Sequence, residues 1–480
     1  MHSTFGLRLR AAALNAAVVV ALSSPGATAQ TPDTADPWSR LPGVLAGIKA
    51  PAFPARDFLV TNFGAKPDGL TDATEAFRKA IVACAQAGGG RVVVPPGDFL
   101  SGAIHLKSGV NLHVQKGATI RFSTDPSRYL PVVKTRFEGM EMMNYSPLIY
   151  AIGQENIAVT GEGTLDGQAS DANWWKWKGG TNVLPNQKID RENLFKQAED
   201  GMPVAQRIYG EGHYLRPTFI EPYESKNILI EGVTIKNAPF WVIHPTLSSN
   251  VTIRGVTVIS HGPNNDGADP ESSTDVLIED SIFDTGDDCI AIKSGRNADG
   301  RRVNMPSERI VIRNSTMRAG HGGVTIGSEV SGSVRDVFAE KLVMSSPELE
   351  RGLRLKTNAM RGGTIENVFA RDIEIGEVGS AIDIDLLYEE GARGSFMPMV
   401  RNVRVERMNV KKAIYAFFVR GFPGSTVRGV SISDSTFKGV SKGSMITGLE
   451  DLVLHNVVIE PADQRRPGSQ GGQEPRPKTN

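Results

Sequence analysis

Residues 227–237 read NILIEGVTIKN, residues 250–260 NVTIRGVTVIS and residues 275–285 DVLIEDSIFDT, three versions of one phrase. Each opens on Asn or Asp, carries β-branched and aliphatic residues in near alternation, and breaks at its sixth position on Gly or Asp. That is the pattern of short strands with one buried face, separated by turns. The starts lie 23 and then 25 residues apart, the length of one coil of a solenoid with a few short strands per turn. The phrase returns as RIVIRNSTMRA from Arg309, IENVFARDIEI from Ile365, VRNVRVERMNV from Val400, TVRGVSISDST from Thr426 and DLVLHNVVI from Asp451. One coil cannot bury its apolar face alone, so the coils must stack. The expected fold class is all-β, a parallel β-helix.

Short β-rich runs begin as early as Val92, and ahead of them residues 72–87 change period. Ala76, Ala80, Ile81 and Cys84 have the spacing of an amphipathic helix, with Thr71 and Asp72 to cap it and Gly88, Gly89 and Gly90 to stop it. A solenoid core is open at its ends, so this helix is expected to lie across the first coil as a cap. Residues 30–57, rich in Pro, Ala and Asp, read as a linker and lead-in, residues 58–460 as the β-helix, and residues 461–480 as a disordered tail. Residues 168–217 interrupt the repeat with the run NWWKWKGG, which holds Trp174, Trp175 and Trp177. So long an aromatic insertion reads as a functional loop, its rings offering flat faces on which sugars stack, or else as a plug that fastens the loop to the solenoid. The segment TRFEGMEMMNYSP from Thr135 reads as a second loop bordering the same cleft.

At the N-terminus, Arg8 and Arg10 precede an apolar run from Ala11 to Leu22, and Ala27-Thr28-Ala29 follows. This is the layout of a signal peptide cleaved after Ala29, so export to a periplasm or the medium is expected. No later stretch approaches the roughly 20 apolar residues of a spanning helix. The 53 basic residues equal the 53 acidic ones, which gives nothing global to attract nucleic acid or an anionic membrane. The two cysteines, Cys84 and Cys289, fall in the capping helix and in the central repeats, and are expected to be free and buried. No metal, nucleotide or haem motif is present, and no cofactor is expected.

Between residues 262 and 356 the turns carry chemistry: GPNNDGADP, FDTGDDCIAIKSG, AGHGGVTIGSE and RGLRLKTN. Stacking would bring Asp266, Asp287, Asp288 and His321 onto one surface, and Arg354 and Lys356, two apart on a strand, would share a face. Any one Asp at a solenoid turn is ordinary, because its side chain bonds the local backbone. The adjacent pair Asp287 and Asp288, one coil from a further acidic cluster, is not, since a structural account must tolerate the repulsion without compensation. Three packed carboxyls cannot all ionise freely, so one should hold a proton and could act as an acid.

The ordered set Asn264-x-Asp266, Gly286-Asp287-Asp288, Gly320-His321-Gly322 and Arg354-x-Lys356 resembles the signature of glycoside hydrolase family 28, the polygalacturonases. The middle residue of the first cluster is Asn265, where the family usually has Thr. The resemblance extends over about Phe58 to Val458, and the phrases IKSGRNADGRR and GSEVSGSVR are most similar to bacterial exo-acting members. It implies a right-handed helix, a monomer, and hydrolysis of α-1,4-galacturonan with inversion. It further implies Asp287 as general acid, Asp266 and Asp288 as holders of the attacking water, and His321 as support for the acid. Inversion of this kind calls for about 6.5–9.5 Å between acid and base. Arg354 and Lys356, with Asn264, would grip a pectic polysaccharide or oligogalacturonide, guanidinium matching carboxylate through two parallel hydrogen bonds. Lys293 is expected to extend the positive rim together with Arg296, Arg301 and Arg302, and Trp174 and Trp175 to stack on sugar. The alternatives are a rhamnogalacturonan or xylogalacturonan hydrolase, a calcium-dependent pectate lyase, and a β-helix that only binds polysaccharide.

Overall fold

The computed structural model describes residues 36–179 and 184–462, so the expected signal peptide and the expected tail beyond 462 lie outside the described residues. The chain divides into two compact units, 1–39 and 40–480, and everything below concerns the second.

Parallel strands stack coil upon coil from Asp57 to Pro461. The repeated phrases supply one face. Lys226–Glu231 pairs with Ser249–Arg254, then follow Thr274–Glu279, Ser307–Arg313 and Val334–Met344, all parallel. Register is set by the apolar residues: Ile228 lies on Val251, Val276 and Ile310, and Ile230 on Ile253, Ile278 and Ile312. All of these are buried and form one continuous core along the axis. At roughly 25 cal/mol per Å² of apolar surface, burial of such rows is the main term holding one coil to the next.

The Asn and Asp near the start of these strands are also explained. Asn156, Asn227, Asn250, Asp275, Asn367 and Asn402 all have φ between 54° and 57°, a left-handed bend that Asn and Asp tolerate better than branched residues. The amides bond up the stack: Asn227 Nδ2 donates to Asn156 Oδ1 (3.0 Å) and Asn250 Nδ2 to Asn227 Oδ1 (2.7 Å).

Among the described residues four α-helices decorate the coils: α1 (Leu41–Gly47), α2 (Thr74–Gln86), α3 (Lys188–Glu199) and α4 (Asn297–Val303). In α2, Ala76, Phe77, Ala80, Ile81 and Cys84 are buried in the main core, so the helix does lie over the first coils, and Asp72 Oδ1 accepts from the Thr74 amide at its start. The lead-in expected as a loose linker is tied down from Arg40 onward. Arg40 reaches Asp336 at 2.7 Å, and the Lys49 amide donates to Asn250 Oδ1 at 2.8 Å. An antiparallel hairpin, Val133–Phe137 with Met140–Asn144, and the segment carrying α3 stand beside the stack and build one wall of the cleft. Among the described residues no helix is long and apolar enough to cross a membrane.

Candidate active site

The backbone stacking of three turns makes the site. Gly267 N donates to Asp288 O (2.9 Å), and His321 N to Asp287 O (3.1 Å). The clusters of three successive coils therefore sit on top of one another. Glycines are needed here because the layers touch: a Cβ on Gly322 would lie 2.2 Å from Thr325 Oγ1 and 2.8 Å from Asp288 Oδ1. The next strand, Arg351–Lys356, pairs through Arg354 with Thr325. Leu353 and Leu355 point into the core, and Arg354 and Lys356 point to the cleft. Asp266, Asp287 and Asp288 can each bring an oxygen within 4.8 Å of the others. These nearest oxygens do not measure the spacing between whole carboxyl groups, so this distance does not assign the stereochemistry here. The same spacing could gather around a cation, but Lys293, Arg354 and Lys356 already place three positive charges at these carboxylates.

The three carboxyls have different surroundings. Asp288 is fully buried. It accepts from Arg354 Nη1 at 3.1 Å, Lys356 Nζ at 2.8 Å and Thr325 Oγ1 at 2.8 Å. Burial alone would raise its pKa, but the charges of Lys356 and Arg354 outweigh this and hold it far below the usual carboxylate range. Asp266 is also buried, with Lys293 at 3.6 Å and one oxygen unpartnered. Burial and then the charge of Asp287 push it up to about 8. Asp287 is the one with access to the cleft: its side chain is 15% exposed, against 4% for Asp266 and 0% for Asp288. For Asp287 burial again acts upward, but the hydrogen bond with His321 Nδ1 (2.9 Å) brings the balance below the normal value, and that bond raises the pKa of His321. Burial and neighbouring carboxylates thus favour the protonated form of Asp266, and of Asp269 beside it, while the bond to His321 favours the ionised form of Asp287.

Several expected contacts are placed differently. Asn264 lines the cleft, but its Oδ1 is taken by Lys178 Nζ (2.9 Å) and Arg216 Nη2 (2.8 Å). Asn265, the residue that replaces Thr, is fully buried and staples the turn, accepting from Ser260 Oγ (2.6 Å) and Gly262 N (2.8 Å) and donating to Ala238 O. Lys293 is not on a rim: its ammonium is buried 3.6 Å from Asp269 and 3.4 Å from Glu329, over the Trp241 ring at 4.4 Å. Arg296 is buried against Glu138 (3.0 Å) and Glu329 (3.3 Å). Arg301 and Arg302 belong to α4 and leave the cleft, Arg301 lying over Phe396 and Arg302 pairing with Asp299. The stacking role of Trp174 is overturned. It is 1% exposed, packed edge-on against Tyr129 and Trp177, so no face is free for a sugar. Trp175 is half-buried and donates its indole N–H to Ala238 O (2.9 Å). These two tryptophans fasten the inserted segment to the solenoid.

What the inserted segments do bring is charge. A cavity of about 240 Å³ over Asp266 and Asp287 is walled by Lys178, Arg191 and Glu138 together with Lys356 and Tyr388. Arg191 is held by Glu138 (2.6 Å). Burial lowers the pKa of Lys178. The sequence pointed to the segments carrying Lys178, Glu138 and Glu329, but not to these residues. Tyr388 had no signal beyond a break in the repeat.

Residues 209–414 match the family described as Glycosyl hydrolases family 28, and residues 58–121 match Rhamnogalacturonase A/epimerase, pectate lyase-like. A probable polygalacturonase of Vitis vinifera is 30% identical over 404 residues, covering 81% of this chain and 75% of its own. The chain belongs to glycosyl hydrolases family 28. An exo-poly-alpha-D-galacturonosidase of Dickeya chrysanthemi is 29% identical over 412 residues, covering 81% of this family 28 chain and 64% of the relative. The solved structure of a hyperthermoactive exopolygalacturonase from Thermotoga maritima is 46% identical with a TM-score of 0.85, covering 88% of this chain and 96% of that one. The fold is thus a right-handed parallel β-helix, and the protein is a glycoside hydrolase.

Proposed function

We propose that this family 28 hydrolase cleaves α-1,4-linked galacturonan from a chain end, with inversion. The observation that carries the reading is the cleft itself, where one accessible carboxyl, Asp287, stands between two buried ones and an Arg-Lys pair. Asp287 is the group able to reach a glycosidic oxygen and protonate it as the bond to the anomeric carbon breaks. Asp266 and Asp288 hold the water, and Asp266 takes its proton. The resting proton on Asp266 is compatible with this assignment because two carboxyls so close share one proton as a unit. A water or sugar oxygen lodged between them carries it to Asp287. Arg354 and Lys356 meet the carboxylate of the neighbouring sugar. Lys178 and Arg191, carried by the inserted segments, close the far side of the cavity, which favours attack at an end over attack within the chain. The signal-like N-terminus supports export, and a monomer is the reading the family resemblance favours.

Product sizing on de-esterified polygalacturonate tests this. Monomer or dimer from the first minutes is expected, without a ladder and without the ultraviolet absorbance that a lyase would create. The first-formed anomer, read by proton NMR, should be the inverted one. Asp287→Asn should lose at least about a hundredfold in kcat, the scale of general-acid help. Near-full activity in that variant would remove Asp287 from the role.

A further inference from the structure

Beyond Arg354 the cleft opens into a second cavity of about 560 Å³, formed by the next two coils. Register fixes what a chain lying along it meets. Arg354 pairs with Asp383 and Asp383 with Phe418, while Lys356 pairs with Asp385 and Asp385 with Arg420. Neighbouring strands lie about 4.8 Å apart, close to one sugar of a polysaccharide. A sugar gripped by Arg354 and Lys356 is therefore followed by one over Asp383 and Asp385, beside a shelf of Tyr388, Tyr415 and Phe418.

The charge of this second cavity differs from that of the first. Its carboxylates are Glu350, Glu377, Asp383 and Asp385, and its guanidiniums are Arg351, Arg354 and Arg420. Arg354 is engaged by Asp288 (3.1 Å), Arg351 by Asp383 (3.3 Å) and by Glu350, and Arg420 by both oxygens of Asp385. Glu377 is held by Lys412 (2.6 Å), so apart from Arg354, which serves the sugar before, an entering uronate would meet only carboxylates and cations that already hold one another. Lys178 in the first cavity, by contrast, bonds the amide of Asn264. The aromatic shelf, with Val378 and Ile414, suits an apolar sugar face or a methyl group.

We infer that the second cavity is a subsite for an uncharged sugar, next after the galacturonate held by Arg354 and Lys356. Two sources have that chemistry: galacturonate masked as its methyl ester, and a neutral hexose interrupting the chain. The inference rests on the proposed galacturonan activity, and the test keeps the two apart. Three trisaccharides are compared by kcat/KM. One is trigalacturonate, and the others carry a methyl ester or a neutral hexose only at the sugar farthest from the released end. At low salt the uncharged substrates should be favoured about fivefold, with the ratio falling toward one as salt screens the carboxylates. Gain for the ester alone assigns esterified pectin as the source, and gain for the hexose alone assigns an interrupted chain. Equal rates, or faster cleavage of the fully acidic trimer, overturn the inference while leaving the galacturonan activity intact. Failure to cut any of the three overturns both. Asp383→Asn should raise kcat/KM for the acidic trimer several-fold relative to that for the ester. No change there counts against the inference.

Discussion

At the scale of single residues, the two adjacent aspartates have opposite duties, and mutation should separate them. Asp288 compensates Arg354 and Lys356 in a buried site. Breaking such a pair by removing one partner leaves uncompensated charge at a cost of about 3–5 kcal/mol. Asp288→Ala should therefore lower stability as well as activity, checked by denaturant unfolding, whereas Asp287→Asn should leave the unfolding midpoint nearly in place. The linkage has a definite sign. Because the folded pKa of Asp288 lies below its unfolded value of 3.8, its stabilisation is whole above that value and is lost only as pH falls toward the depressed one. His321 supplies a second test. Removing its hydrogen bond, as in His321→Ala, takes away what holds Asp287 low, so the acid limb of the kcat/KM profile should move to higher pH. The alkaline limb should remain near 8, where the shared proton leaves Asp266. An acid limb that stays in place would show that His321 does not tune Asp287.

Elements explain why part of the site was legible in the sequence and part was not. The solenoid converts sequence spacing into layers, so Asp266, Asp287, His321 and Arg354 could be assembled from their places in the repeat. Lys293, Arg296, Arg301 and Arg302 could not, because α4 interrupts the strand pattern and turns Arg301 and Arg302 away from the cleft. Composition marked the tryptophan loop but not which way its rings face. Trp174 went into the core, while the lysine four residues later, Lys178, entered the cavity. Trp174→Ala should loosen the loop, with the roughly 3–5 kcal/mol of a large core truncation spent mostly on local opening. Limited proteolysis within residues 168–217 and a shift from single products toward a ladder are the expected readouts. An unchanged cleavage pattern with normal products would mean that the loop is held by other contacts.

Over the whole molecule, stability is close to a sum of coils and of the interfaces between neighbours, and the first coils depend on α2 to cover them. Cys84, within α2, and Cys289, next to Asp288, are both unpaired and fully buried. Burial also raises both thiols well above their normal pKa, so neither is a thiolate at neutral pH while folded. The chain thus carries two internal chemical reporters, one at the cap and one amid the catalytic layers. Under mild denaturant, alkylation should reach Cys84 before Cys289 if the stack frays from its capped end, and both together if it opens as one. Phe77→Ala, which hollows the cap, should advance only the first of them.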